Sequence, residues 1–374
     1  MTDKRKKIPA ILFSAAFFLL CAFFSLGMLI PGAADAADSG AMPALVTDGK
    51  ISSTWRDDFE SWFSKHFAYR DILVDAFSSL KERVFSTGND QVLAGRDGFL
   101  FYADTVDDYT GANPMTEEEL RAAADALLSL KNYAADHGAD FLFVCAPNKN
   151  TIYPEKMPAL IAGAPEGEDS NLTRLLPLLA ERGVGYADLR PALLEAKEER
   201  LVYHRRDSHW NNEGARIAVN EILAAAGVSA DLFDTPLTAV TRDFRGDLDS
   251  LLYPKLPRYD EEYILGLGDR FRYVTGGSGL MNLDITTEQV SDKVQGMGRV
   301  LVFRDSFGSA LIPYFASMSG SARFHRALPY RIDLLEDPAT GETVDTDLVI
   351  VEIAERNLRN LIGSDARITG GGED

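Results

Sequence analysis

The chain has little cysteine: two residues in 374. Cys21 falls in an apolar run and Cys145 in FLFVCAP, so no disulfide can form within an exported domain. In that setting Cys145 reads as a small packed hydrophobe rather than a nucleophile. Histidine is also scarce, with five residues, and no His, Cys and Asp cluster has metal-ligand spacing, so no metal and no other cofactor is expected. Basic residues are outnumbered, with 38 Lys and Arg against 57 Asp and Glu for a formal charge of −19. That balance excludes nucleic acid as an expected partner. No internal repeat is visible.

What is present begins with MTDKRKK, followed from Ile8 to Ile30 by residues without charge. A spanning helix needs roughly 20 apolar residues and a signal h-region about 7–15, so length favours a retained transmembrane anchor. Lys4, Arg5, Lys6 and Lys7 place the N-terminus in the cytoplasm and the remainder outside the cell membrane. Ala34-Asp35-Ala36 also fits a cleavage pattern, which leaves secretion after cleavage as the alternative. Residues 1–30 are thus expected to form a basic tip and anchor, 31–50 a linker rich in Ala, Asp, Gly and Pro, 51–362 the folded domain, and 363–374 a disordered tail.

Apolar residues at helical intervals predict two helices in Trp55–Val84, broken around His66–Arg70. Gln91–Tyr102 reads as a hairpin turning on Arg96-Asp97-Gly98. Thr116 with Glu119 forms a capping box that opens a helix to about Asp136. From there helices alternate with short apolar runs of strand length: Asp140–Ala146, Val184–Leu189, Arg299–Phe303 and Asp347–Ile353. That rhythm predicts an α/β fold with a mostly parallel sheet covered on both faces, and ligands beyond the carboxyl ends of its strands. Residues 231–295 interrupt the rhythm and read as a small β-rich insertion.

Two stretches carry candidate chemistry. In Tyr203–Gly214, YHRRDSHWNNEG, Asp207 stands two residues before His209 in a turn ahead of a helix, where a carboxylate can orient an imidazole. In VLVFRDSFG, Ser306 follows a strand and precedes a helix whose N–H groups can face an oxyanion. A serine, a base and an orienting carboxylate are the parts acyl transfer needs. Each stretch alone has a plain structural explanation, the serine as a helix cap above all. The conjunction with Asn357, after a third strand, favours a site. The other four histidines are assigned packed or solvated roles, and the carboxylates of Asp247–Asp249 a solvated turn.

At these residues the chain resembles the SGNH hydrolases. Asp305-Ser306 is similar to their Gly-Asp-Ser block, Asp207–His209 to their Asp-x-x-His block shortened by one residue, and Asp347–Asn357 to the strand ending in their oxyanion asparagine. Arg304 stands where that family has Gly, and Glu355-Arg356-Asn357 where Gly-Thr-Asn is expected. The order of strand, histidine, serine and asparagine resembles the circularly permuted alginate O-acetyltransferase-like group, including its relatives named for an Asp-His-His-Trp motif. GRDGFLFY from Gly95, PNKNTIYPEKMP from Pro147 and DSHWNNEG from Asp207 point to the same group.

The resemblance implies Ser306 as nucleophile, His209 as base, Asp207 as its orienting carboxylate, and Asn357 with the Ser306 N–H as oxyanion donors. Lys149, Arg304 and Arg356, at predicted strand ends, are candidates to touch an acyl or sugar group. The implied activity is O-acetylation of a cell-surface or secreted polysaccharide, with acyl groups supplied by a multi-pass membrane acyltransferase. An acetyl-esterase with the same triad, or a glycan-binding or assembly protein on the same scaffold, are the alternatives.

Overall fold

The computed structural model describes residues 2–27, 41–47, 49–66, 68–82, 87–159, 161, 170–228, 233, 235–267, 269–277, 283–290 and 296–369. The chain divides into two compact units, Met1–Phe85 with Leu252–Pro257, and Ser86–Leu251 with Arg258–Asp374.

The first unit contains helix α1 (Thr2–Gly27), a ribbon of β1 (Val46–Thr47) and β2 (Lys50–Ile51), and helices α2 (Trp55–His66) and α3 (Arg70–Leu80). The two helices meet at Tyr69, whose φ of 60° lies in the left-handed region. The break falls where the apolar spacing lapses. Ordered backbone begins inside the expected linker, whose residues 31–40 and 48 lie outside the described residues. The expected anchor lies partly outside as well: within α1, side chains are described for 12–23, 26 and 27. Among the described residues, no helix is long and apolar enough to cross a membrane.

The second unit runs through β3 (Val92–Ala94), β4 (Leu100–Tyr102), α4 (Val106–Tyr109), α5 (Glu117–Asp136), β5 (Asp140–Ala146), α6 (Lys149–Ile152), α7 (Asn171–Glu181), β6 (Tyr186–Asp188), α8 (Arg190–Ala196) and α9 (Asn212–Ala225). It continues with β7 (Val240–Phe244), α10 (Asp247–Leu252), β8 (Asp260–Tyr263), β9 (Phe271–Thr275), β10 (Asp284–Gln289), β11 (Arg299–Phe303), α11 (Ile312–Met318), β12 (Ser321–His325), β13 (Leu348–Ala354) and α12 (Ala366–Thr369). The last helix lies inside the expected tail; residues 370–374 fall outside the described residues.

One seven-stranded sheet dominates, in the order β6-β5-β13-β11-β12-β10-β9. Its first five strands pair parallel and β10 and β9 pair antiparallel, so the sheet is mixed. The central strands are buried apolar runs, as two covered faces require. Alternate residues feed two cores. Val144, Val302 and Ile350 meet Leu193 of α8, Ile222 of α9 and Phe315 of α11 on one face. Phe143, Phe303 and Val351 meet Leu127 of α5 and Leu175 and Leu179 of α7 on the other. Cys145 packs in this second core.

The stretch 231–295, read as a small β-rich insertion, holds four strands among its described residues. Its strands β10 and β9 extend the main sheet antiparallel, and β10 alternates buried Ile285 and Thr287 with more open neighbours, as a strand with one less covered face does. Its β7 and β8 form a separate ribbon, and α10 reaches the site described next.

Candidate active site

The strand ends of β5, β11 and β13 lie side by side, and the loop before α9 crosses them. In that loop Asp207 makes a local turn: its Oδ1 accepts from the backbone N–H of His209 at 2.9 Å and from the His209 Nδ1–H at 2.7 Å. An aspartate accepting from the backbone two residues on is a common turn device. Here it also fixes the ring, and so a spacing one residue shorter than the family block suffices. With Nδ1 donating, Nε2 is the accepting nitrogen, and the Ser306 hydroxyl lies 2.8 Å from it. Phe307 packs against the imidazole at 4.7 Å between ring centroids, and Trp210 Nε1 donates to the Phe307 carbonyl at 3.1 Å, tying the two loops together.

Burial alone would push the Asp207 carboxyl up. The hydrogen bond and charge of His209, with the N–H of Asp247 at 2.7 Å, instead hold it well below the usual carboxylate range. Asp207 is therefore an anion facing the ring, the state that stabilises an imidazolium.

Asp247 corrects the reading of its stretch as a solvated turn. Its Oδ1 accepts from the Ser208 N–H at 2.7 Å, its Oδ2 accepts from the Ser208 hydroxyl, and Oδ2 lies 3.6 Å from His209 Nδ1. Its side chain stays 43% exposed on the cavity wall, yet partial desolvation and then the neighbouring Asp207 charge raise its pKa. Asp249 is buried against Arg206, whose Nε donates to it at 2.6 Å. Gly246 permits this packing, because a Cβ there would lie 2.1 Å from the Arg206 carbonyl oxygen. Among the described residues, Asp207, His209 and Asp247 are also the group whose donor atoms, within 4.8 Å of one another, could approach a cation. The Nδ1 of His209 is committed to Asp207 in this arrangement.

The site opens into a cavity of about 450 Å³ lined by Tyr102, Asp104, Ser208, His209, Asp247, Ser306, Arg356 and Asn357, with Leu248 and Leu251. Asn357 lies on the cavity wall. Its Nδ2 donates to Asp305 Oδ2 at 3.2 Å, and that carboxylate also accepts from the Ala354 N–H at 2.8 Å, while Oδ1 accepts from Phe307 N at 2.8 Å. Asp305 thus pins the serine turn to the end of β13. Arg356 also lines the cavity, its guanidinium 5.6 Å from the Tyr102 ring centre and 5.3 Å from that of Phe307.

Lys149 and Arg304 do not line this cavity, which corrects their assignment. Lys149 is buried, its ammonium donating to the carbonyls of His204, Arg205 and Asp207 beneath the loop. Three donors meet three backbone acceptors, of which the Arg205 carbonyl also accepts from the Leu100 N–H at 2.8 Å. Burial lowers its pKa to about 7, opposed by the charges of Asp207, Asp247 and Asp260. Arg304 turns aside, donating from Nη1 to the Asp305 carbonyl at 3.1 Å and to Ser309 Oγ at 2.9 Å, and lines a separate cavity with Arg326, Tyr330 and Glu352. Its bulk is accommodated away from the serine, so the family's glycine is not required there. Sequence reasoning also missed Glu355, buried beneath the site, which accepts from Asn148 N at 2.8 Å and from the Thr151 hydroxyl at 2.6 Å.

A family model described as the SGNH hydrolase-like domain of the acetyltransferase AlgX matches residues 92–256. A probable alginate O-acetylase AlgJ of Pseudomonas aeruginosa is 28% identical over 251 residues, 62% of this chain and 56% of that protein. The chain is similar to the alginate O-acetyltransferase-like SGNH proteins. A second relative in this family, the probable alginate O-acetylase AlgJ of Pseudomonas syringae, is 24% identical over 223 residues, 56% of this chain and 55% of the relative. The chain thus spans about half the length of the curated relatives it matches. Among solved structures, a DHHW family protein from Eubacterium siraeum covers 74% of this chain and 96% of its own at TM-score 0.53 and 15% identity. Bacillus cereus PatB1 covers 72% and 97% at TM-score 0.50 and 17% identity. These two show the fold. The family match contains Asp207, His209 and Asp247 but ends before Ser306, so the serine rests on its place beside the imidazole.

Proposed function

We propose that this chain is a serine-dependent O-acyltransferase that adds acetyl groups to hydroxyls of a cell-surface or secreted polysaccharide. The observation that carries the reading is the 2.8 Å contact between Ser306 Oγ and an imidazole whose other nitrogen faces a buried carboxylate. The names of the AlgJ relatives supply the acceptor class. A purely binding role leaves that aligned contact without a purpose.

His209 Nε2 takes the Ser306 proton as Oγ attacks the acetyl carbonyl of a donor ester. The tetrahedral oxyanion faces the Ser306 N–H and the Asn357 amide, and its collapse passes the proton from His209 to the leaving group. Acetyl-Ser306 remains. A sugar hydroxyl then gives its proton to His209 and attacks, and Ser306 leaves with that proton. Arg356 and Tyr102, on the cavity wall, are placed to meet the sugar. Water in place of the sugar hydroxyl gives the esterase, and the open cavity admits it.

The proposed setting is extracytoplasmic, with α1 as the anchor and a multi-pass membrane acyltransferase as the source of acyl groups. The exposed Leu12, Phe13, Phe17, Leu19 and Phe23 of α1 favour lipid around that helix. To test the function, the full chain is offered an activated acetyl ester and acetyl is sought on Ser306 by mass spectrometry. A folded wild-type protein that never labels, or a Ser306→Ala protein that labels equally, overturns the reading. Adding a defined oligosaccharide then compares transfer with release, and release alone makes it an esterase.

A further inference from the structure

Helix α3 is inside out for a helix in water. Its buried residues are Asp75, 1% exposed, and Ser78, 9% exposed. Ile72, Leu73, Phe77 and Leu80 are 52%, 38%, 62% and 51% exposed. Helical spacing puts Leu73, Phe77 and Leu80 on one stripe opposite Asp75. The inward face is specified rather than loosely packed: Asp75 Oδ2 accepts from the N–H of Leu256 at 2.8 Å and of Lys255 at 3.2 Å. Each large apolar side chain left in water forgoes about 1.5–3 kcal/mol of burial, so a contiguous outward stripe marks a surface made for another medium.

The same unit indicates which medium. Tyr69, which starts α3 in its left-handed conformation, stacks on Phe23 of α1 at 5.6 Å and 12° between ring planes. Gly27 approaches so closely that a Cβ there would lie 2.9 Å from the Tyr69 ring. Phe23 and Gly27 near the end of α1 thus pack on Tyr69, one helical turn ahead of Leu73 on the α3 stripe. In the same unit, α2 carries a ladder of Trp55, Phe59 and Trp62, with centroids 5.0 and 6.0 Å apart, whose tryptophans are of the type enriched at the lipid–water boundary. The Lys81 ammonium sits 5.5 Å from the Phe77 ring centre, so its stem runs along the stripe with the charge at its edge.

We propose that the outward face of α3 lies in the lipid–water interface of the bilayer in which α1 is anchored, a second, in-plane membrane contact. This rests on the reading of α1 as an anchor.

The test reconstitutes the full chain in phosphatidylcholine–phosphatidylethanolamine vesicles. Nitroxides are placed singly at Phe77→Cys, Phe17→Cys and Glu118→Cys in a Cys21→Ser background, with circular dichroism confirming the fold. Power saturation compares collision with oxygen, which partitions into lipid, and with a water-soluble nickel chelate. The expected result is oxygen favoured several-fold at 17, oxygen favoured more shallowly at 77, and nickel favoured at 118. Oxygen favoured at 17 with nickel favoured at 77 overturns this proposal and leaves the anchor standing. Nickel favoured at 17 overturns the anchor itself and this proposal with it. Position 77 shielded from both reagents overturns it in favour of a protein partner on that face.

Discussion

Helices α5 and α3 have similar apolar spacing and opposite fates. In α5 the stripe of Leu120, Leu127 and Leu130 is buried against the sheet, and the acidic first turn faces out. In α3 the stripe faces out and an aspartate is buried. The unit holding α5 also buries charge, but at Asp207, Lys149 and Glu355, each with partners. Departures from the rule of apolar inside and polar outside thus come in two forms. Buried polar groups with full hydrogen bonding build a site, and apolar groups left outside build a surface.

The largest expected effect breaks the first form. Ser306→Ala abolishes acetyl labelling while the denaturation midpoint stays near wild type. Asp207→Asn follows, lowering the labelling rate by up to about 10⁴-fold, because the ring loses the anion that holds its tautomer; single-turnover acetyl transfer measures it. A wild-type rate in that variant would make Asp247 the working carboxylate.

A paired substitution sharpens the helix comparison directly. Leu127→Ala costs about 2–5 kcal/mol in denaturant unfolding, whereas Phe77→Ser stays within about 0.5 kcal/mol. Equal costs would mean that the outward stripe of α3 is covered by protein.

The smallest effect concerns pH. Burial first, then the charge of Asp108, raises Glu355 from 4.5 to about 7. The folded chain therefore keeps a proton that the unfolded chain loses, and the stability this contributes is whole below about 4.5 and lost as pH rises through about 7. Glu355→Gln keeps an acceptor for Asn148 and Thr151 and flattens the stability profile across that window, as denaturant titrations at several pH values would record.

Much of the site was legible in the sequence because its parts are local. The Asp207 turn spans two residues, Ser306 directly follows an apolar strand, and the Thr116–Glu119 capping box closes in one helical turn. What was not legible depends on distance along the chain. Asp247 meets Ser208 and His209 across about 40 residues, and nothing in GDLD marks it. Lys149 has the sequence context of a strand-end cation, yet three carbonyls from the loop 55 to 58 residues later draw it beneath the site. The stretch 231–295 read as a β-rich insertion, but only its pairing with β12 shows that β10 and β9 extend the main sheet.

By itself the sequence determined the α/β rhythm, the periodic helices and the local geometry that points Asp207 at His209. Those follow from short-range sterics and hydrogen bonding. Only the tertiary structure decided that Ser306 meets that imidazole, that a second carboxylate stands beside it, and that the stripe of α3 faces outward. Side-chain periodicity says that a helix has an apolar face, and the packing around it decides what that face meets.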